Sequence, residues 1–304
     1  MGKFLGVVAL TVIVPVVGLA SLVAAIGGGP GTPSAATSSG GSPTPAQASP
    51  ALTTGWTALD SSAAATCPGL PWSVLAAIGA VESDSGRSTA PGVDSGANAA
   101  GAEGPMQFEP ATFAAYATVG PGGASPPDPY DPVDAVYTAA AMLCADGGGR
   151  AATLRSAVLD YNHSTPYVDT VLVLSIAFAA DPTVDGTVVT ALSFAAEQLG
   201  TPYVWGGTGP DGFDCSGLAQ AAYGAAGVRL PRVAQDQYDA GPAVPDGATV
   251  LPGDLVFFGT GPTGVDHVGI YVGSGLMVDA PHTGAVVRVE PAEWGGFVGA
   301  TRPA

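Results

Sequence analysis

The chain opens on an unbroken apolar run. Residues 4–29, FLGVVALTVIVPVVGLASLVAAIGGG, carry no charge, and Lys3 stands just before them. About 20 apolar residues cross a bilayer as a helix, whereas the core of a cleaved signal peptide is about 7–15 residues. Residues 1–29 are therefore expected to form an N-terminal hydrophobic helix, an uncleaved signal anchor with Lys3 inside and the remainder outside. Pro15 and the small residues of LVAA keep a cleaved signal peptide open. No cysteine follows the segment directly, which excludes a lipoprotein anchor. On either reading the body is exported, held at the membrane or secreted.

The apolar pattern then stops. Residues 30–54 are Pro-, Ser-, Thr- and Gly-rich and uncharged, and read as a disordered tether. Helical periodicity resumes at Pro71: Trp72, Leu75, Ile78 and Val81 recur at three-residue steps. DAVYTAAAMLC (134–144) and AVLDYNHSTPYV (157–168) add two more apolar helices, the second ending in Tyr-Asn. A turn-rich joint, DPTVDGT (181–187), separates this helical domain (55–180) from a second domain (188–304). There the order is helix, loop and helix, followed by four alternating segments cut by Gly or Pro: PGDLVFFG, DHVGIYVG, LMVDAP and AVVRVE. The pattern thus predicts a mostly helical domain followed by an α+β domain with helices packed on an antiparallel sheet. No internal repeat is present.

Composition narrows the partners. The net charge is −17, and no basic stripe runs through either half. Nucleic acid and anionic membrane surfaces are therefore poor partners. Charged residues make up only 11% of the chain, against roughly 25% in average soluble proteins. The polar surface must then lean on Ser, Thr, Asn and backbone. Three cysteines are an odd number for an exported chain. Cys67 and Cys144 lie together between the two linkers and are expected to pair, leaving Cys215 alone in the second domain.

In the helical domain Glu82 ends the apolar run beside Ile78 and Val81. A carboxyl group at the edge of an apolar face should hold its proton more tightly, as a general acid for glycosidic cleavage must. Taken alone, a glutamate near a helix end reads as solvated. Together, AAIGAVESDSG, GAEGPMQFEPATF and AVLDYNHSTPYV resemble the lysozyme-like lytic transglycosylases of bacterial cell walls, over residues 66–180. The resemblance implies a lysozyme-like fold with Glu82 as catalytic acid. It places Gln107 in the turn lining the sugar cleft and Tyr161 and Asn162 in the cleft wall. The family often has Ser nine residues before that Gln, where Asn98 stands here, and Leu where Pro105 stands. A lysozyme-type hydrolysis would call for a second carboxylate, for which Asp84, Glu103 and Glu109 are the neighbours in sequence. Surface charge or helix capping is the plainer reading of all three.

In the second domain Cys215 begins a helix, and helix N-termini favour thiolates through unpaired N–H groups and the dipole. PYVWGGTGPDGFDCSG, LPR, LPGDLVFF and HVGIYVG stand in the order and spacing of the NlpC-type papain-like peptidases of bacterial walls, a resemblance covering residues 190–302. It implies Cys215 as nucleophile, His267 as base and Asp279 as the residue orienting the imidazole, with His282 as the rival third member. Tyr203 and Ser216 match positions lining the cleft, and Asp214 is assigned to recognition of a substrate amine. His163 reads as a surface residue. Three scattered histidines give no metal site, and no cofactor is implied.

The expectation is a bifunctional peptidoglycan hydrolase. One domain would cut glycan strands, by transglycosylation or in a lysozyme-like way, and the other stem peptides. Two alternatives stand beside it. In one, a single domain serves only to bind the wall; in the other, the whole assists an envelope secretion or conjugation machine.

Overall fold

The computed structural model describes residues 54–292 and 295–304. The expected hydrophobic helix and nearly all of the tether lie outside the described residues. Among the described residues, no helix is long and apolar enough to cross a membrane.

Among the described residues six helices come first: α1 (Thr54–Ala64), α2 (Trp72–Ser83), α3 (Pro110–Tyr116), α4 (Pro132–Ala145), α5 (Ala151–Asn162) and α6 (Thr165–Ala180). The three-residue periodicity of α2 understates its burial. Val74, Leu75, Ala76, Ala77 and Ile78 are all buried, while Trp72 and Val81 are only partly so. A helix that is apolar all round belongs in the middle of a fold, and α2 packs against α1, α4 and α6. It stops at Asp84, whose φ of 54° is left-handed. Ser83 Oγ then donates to the Pro105 carbonyl at 2.6 Å, pulling the Pro105–Gln107 turn against the end of α2. Cys67 and Cys144 form a disulfide that ties the α1–α2 connection to the last turn of α4. The segment AVLDYNHSTPYV divides at His163, which takes φ 56° and caps α5; Ser164 then caps α6 through Tyr167 N.

Three more helices follow, α7 (Gly186–Glu197), α8 (Cys215–Ala225) and α9 (Ala234–Ala240). Five strands complete the fold: β1 (Leu255–Gly259), β2 (Val265–Gly273), β3 (Leu276–Asp279), β4 (Arg288–Pro291) and β5 (Phe297–Thr301). They form one antiparallel sheet in the order β4-β3-β2-β1-β5. β1 is buried on both faces. Leu255 and Phe257 join the main core, whereas Val256 and Phe258 pack with Met277, Ala292 and Ala300.

Two features depart from the sequence pattern. The sheet has a fifth strand, β5, paired with β1. The stretch AVVRVE is strand only in its second half. Its first half bonds instead to the loop after α7: Gly200 N donates to Val287 O and Tyr203 N to Ala285 O, both at 2.9 Å. That pairing brings Tyr203 to the sheet. Helix α6 packs on α7 and β2, so a single apolar core runs through helical and sheet portions alike.

Candidate active site

Cys215 is the first residue of α8. Asp214 precedes it in extended conformation, and its side chain accepts from Gly217 N at 2.7 Å, so the helix starts where the cap turns the chain. Cys215 is a free, half-buried thiol. His267 reaches it from β2. The imidazole Nε2 lies 2.8 Å from Asp279 Oδ2, and the side chain also hydrogen-bonds the Cys215 thiol, for which Nδ1 is the nitrogen left. Burial alone would pull the imidazole towards its neutral form. The hydrogen bonds and charges of Asp279 and Cys215 outweigh it and push His267 up to about 10. Asp279 is completely buried at the end of β3. His282, the rival third member, is exposed and bonds the Thr283 carbonyl of its own loop. The nearby wall is a cavity of about 360 Å³ that includes Phe258, His267, His282 and Glu290.

This constellation can do nucleophilic chemistry. A thiolate paired with an imidazolium is activated for attack on a carbonyl, and the carboxylate holds the ring in one tautomer.

Residues 200–298 match the model of the NlpC/P60 family. The C-terminal domain is an NlpC/P60 domain. Among proteins similar to this chain is the probable endopeptidase p60 of Listeria innocua, 42% identical over 105 residues, which are 34% of this chain and 22% of that protein. The peptidoglycan endopeptidase RipB of Mycobacterium tuberculosis is 42% identical over 116 residues, 34% of this chain and 47% of RipB. The murein DD-endopeptidase MepH of Escherichia coli is 43% identical over 103 residues, 33% of this chain and 38% of MepH. The chain thus spans between about a fifth and about a half of the length of these relatives.

The residues singled out in the second half all fall inside the NlpC/P60 match. Tyr203 lies close enough to Cys215 and Asp214 that burial and both of those charges push its phenol up. Asp214, expected to recognise a substrate amine, is bonded within the protein. Oδ1 accepts from Gly217 N and from Arg232 Nη1 at 2.9 Å, and Oδ2 from Gly206 N at 2.9 Å and Arg232 Nη2 at 2.7 Å. Its acceptor capacity is taken up by the protein, and these bonds hold the carboxyl below the ordinary range although burial opposes them. Ser216 is buried and receives a 3.0 Å bond from the same guanidinium. Arg232, in the quoted motif LPR but without a role there, therefore locks the loop around Gly207 to the helix that carries the nucleophile.

The helical half carries its own constellation, outside the NlpC/P60 match. Glu82 Oε1 accepts from the Tyr167 hydroxyl at 2.7 Å, and Asn162 also donates to the carboxylate. Burial lifts Glu82 to about 7 despite those two bonds. Tyr161 stacks on Tyr167, with ring centroids 6.5 Å apart, and its hydroxyl donates to Met106 O at 2.8 Å. Gln107 sits at φ 48° and spends its amide on the turn itself: Nε2 donates to Gly104 O at 2.7 Å, and Oε1 accepts from Asn98 Nδ2 at 2.9 Å. It shapes the turn, with Asn98 as its partner nine residues earlier. Among the described residues no second carboxylate acts on Glu82. Asp84 is paired with Arg87 and Glu109 occupies the N-cap position of α3. Sequence reasoning missed Tyr167, because nothing local connects residues 82 and 167. His163 is exposed at the end of α5.

Proposed function

We propose that the protein is a bacterial peptidoglycan hydrolase whose NlpC/P60 domain is a cysteine endopeptidase acting on stem peptides. The observation that carries this reading is His267, bonded to Asp279 on one side and to Cys215 on the other, at the first residue of a helix. The Cys215 thiolate attacks the peptide carbonyl, and the backbone N–H of Cys215 helps hold the oxyanion. The tetrahedral intermediate collapses to a thioester as the His267 imidazolium protonates the leaving amine. Water, deprotonated by the neutral imidazole, then releases the acid and restores the thiol. The names of the three relatives support the substrate class, since they act on peptidoglycan, on murein or as an endopeptidase.

Glu82 favours a second activity, cleavage of the glycan strand. Its raised carboxyl is protonated near neutrality and can donate to a glycosidic oxygen. The absence of a partner carboxylate among the described residues favours the one-acid route. As a carboxylate Glu82 then accepts the proton of the muramyl 6-hydroxyl, which closes a 1,6-anhydro ring without water. An exported protein suits both activities, and the Cys67–Cys144 disulfide suits an oxidising compartment. Membrane anchoring by residues 1–29 and service to an envelope secretion or conjugation complex are part of the same reading.

Digestion of purified peptidoglycan with wild type, Glu82→Gln and Cys215→Ala, read by mass spectrometry, tests both assignments. Stem-peptide cuts that survive Cys215→Ala would sink the first. Anhydro-muramyl ends that survive Glu82→Gln would sink the second, and reducing muramyl ends in the wild-type digest would replace transglycosylation with hydrolysis.

A further inference from the structure

Asp279 is held from one side only. Oδ2 meets His267 at 2.8 Å, while Oδ1 is buried and receives no donor. A buried acceptor without a donor is costly. The group that faces Asp279 is another acid. Glu290 on β4 stands within hydrogen-bonding reach of the Asp279 side chain. The β3–β4 register explains the approach: Met277 pairs with Glu290 and Asp279 with Arg288, so Glu290 sits diagonally across from Asp279 on the same face of the sheet. Arg288 in turn donates from Nε to Glu290 Oε2 at 2.5 Å.

Two carboxyl groups in contact cannot both ionise freely, and one proton shared between them relieves the repulsion. Here that proton has a place to sit. On Glu290 it would donate to Asp279 Oδ1, while Oε2 goes on accepting from Arg288. The orphaned oxygen is then satisfied, and Asp279 is gripped from both sides.

We propose that Glu290, clamped by Arg288, is a positioning residue for the peptidase site, sharing a proton with Asp279 and so holding that carboxylate against His267. The inference rests on the reading of Asp279 as the residue that orients His267. The charged and titratable groups around Glu290 are Asp279 from β3, Arg288 on its own strand, His267 from β2 and His282 from the following loop, the last two lining the same cavity. Burial and the charge of Asp279 push the Glu290 carboxyl up, and Arg288 draws it back.

The test uses the full chain and the one thiol left outside the disulfide. The rate of Cys215 alkylation by iodoacetamide is followed against pH, with stem-peptide cleavage in purified peptidoglycan as the second readout. Wild type should show an added step above the ordinary glutamate range, where the shared proton leaves. Glutamine mimics the protonated acid at every pH, its amide donating to Asp279 and its carbonyl accepting from Arg288. Glu290→Gln should therefore keep both rates within about twofold of wild type while losing the step. Glu290→Leu should lower both rates at least about fivefold. Arg288→Gln should move the step to higher pH, because the cation that favours ionised Glu290 is gone. A step that persists in Glu290→Gln, or a Glu290→Leu variant with wild-type rates, overturns the proposal. The glutamine comparison stands even if the leucine variant folds poorly. Cleavage that survives Cys215→Ala fails the peptidase reading itself. Cys215-dependent cleavage with an unmoved step fails only the role given to Glu290.

Discussion

Glu82 and His267 are both withdrawn from water, yet they answer burial differently. Glu82 is surrounded by neutral donors, Tyr167 and Asn162, and ends at about 7 because desolvation wins. His267 has Asp279 and Cys215, which together outweigh desolvation and lift it to about 10. Neutral hydrogen bonds soften the effect of burial, whereas partners that carry charge reverse it. The helical constellation thus keeps a proton on its carboxyl group up to about neutrality. The NlpC/P60 site is built to keep an ion pair.

The most drastic way to separate the two is to remove each reacting group. Cys215→Ala should cut stem-peptide cleavage by on the order of 10⁴-fold and leave glycan products unchanged. Glu82→Gln should do the reverse, by on the order of 10³-fold. Product mass spectra report both. The next largest contrast is pH dependence. In the proposed glycan cleavage Glu82 acts protonated, so that activity should fall about tenfold per unit as pH rises past about 7. His267 acts as an imidazolium, so the alkaline limb of peptide cleavage should lie near 10. Tyr167→Phe removes a bond that draws Glu82 down and should carry the glycan limb to higher pH, with the peptide limb unmoved.

Stability offers two further handles on the helical half. The disulfide closes a loop between residues 77 apart in sequence. Replacing Cys67 and Cys144 by Ser should cost about 4–5 kcal/mol in the chain-entropy account, read by denaturant unfolding. Asp60 is wholly buried in α1 with neither oxygen bonded, and burial lifts it to about 8. Its proton is bound more tightly in the folded state, so its contribution to stability is present below the ordinary carboxylate range and lost as pH rises towards 8. Asp60→Asn should remove about 1.4 kcal/mol of that decline for each pH unit between roughly 5 and 7. Unfolding curves at several pH values measure it, and an unchanged slope would show that Asp60 ionises freely in the folded protein.

Much of the second site could be read from short stretches. GFDCSG puts the thiol at a helix start, and HVGIYVG puts the base on an alternating strand. In the helical half Glu82 stood out by its place at the end of an apolar run. What could not be read is how the remaining polar residues divide their bonds. Asp214, expected to meet substrate, also accepts from Arg232, Gly206 and Gly217. Gln107 looked like a cleft residue and is spent on Asn98 and Gly104. β5 escaped notice because FVGAT is short and Gly-interrupted, and it is a strand only because β1 offers it an edge.

The sequence by itself determined the helical and strand segments of the core, the pairing of Cys67 with Cys144 and the isolation of Cys215, because periodicity, spacing and counting are local or arithmetic properties. Tertiary structure alone decided that Tyr167 bonds Glu82 across 85 residues, that Arg232 bonds Asp214, and that Glu290 faces Asp279. Those choices depend on strand register and on which donor reaches a buried oxygen first. Neither leaves a mark on the residues nearby in the chain.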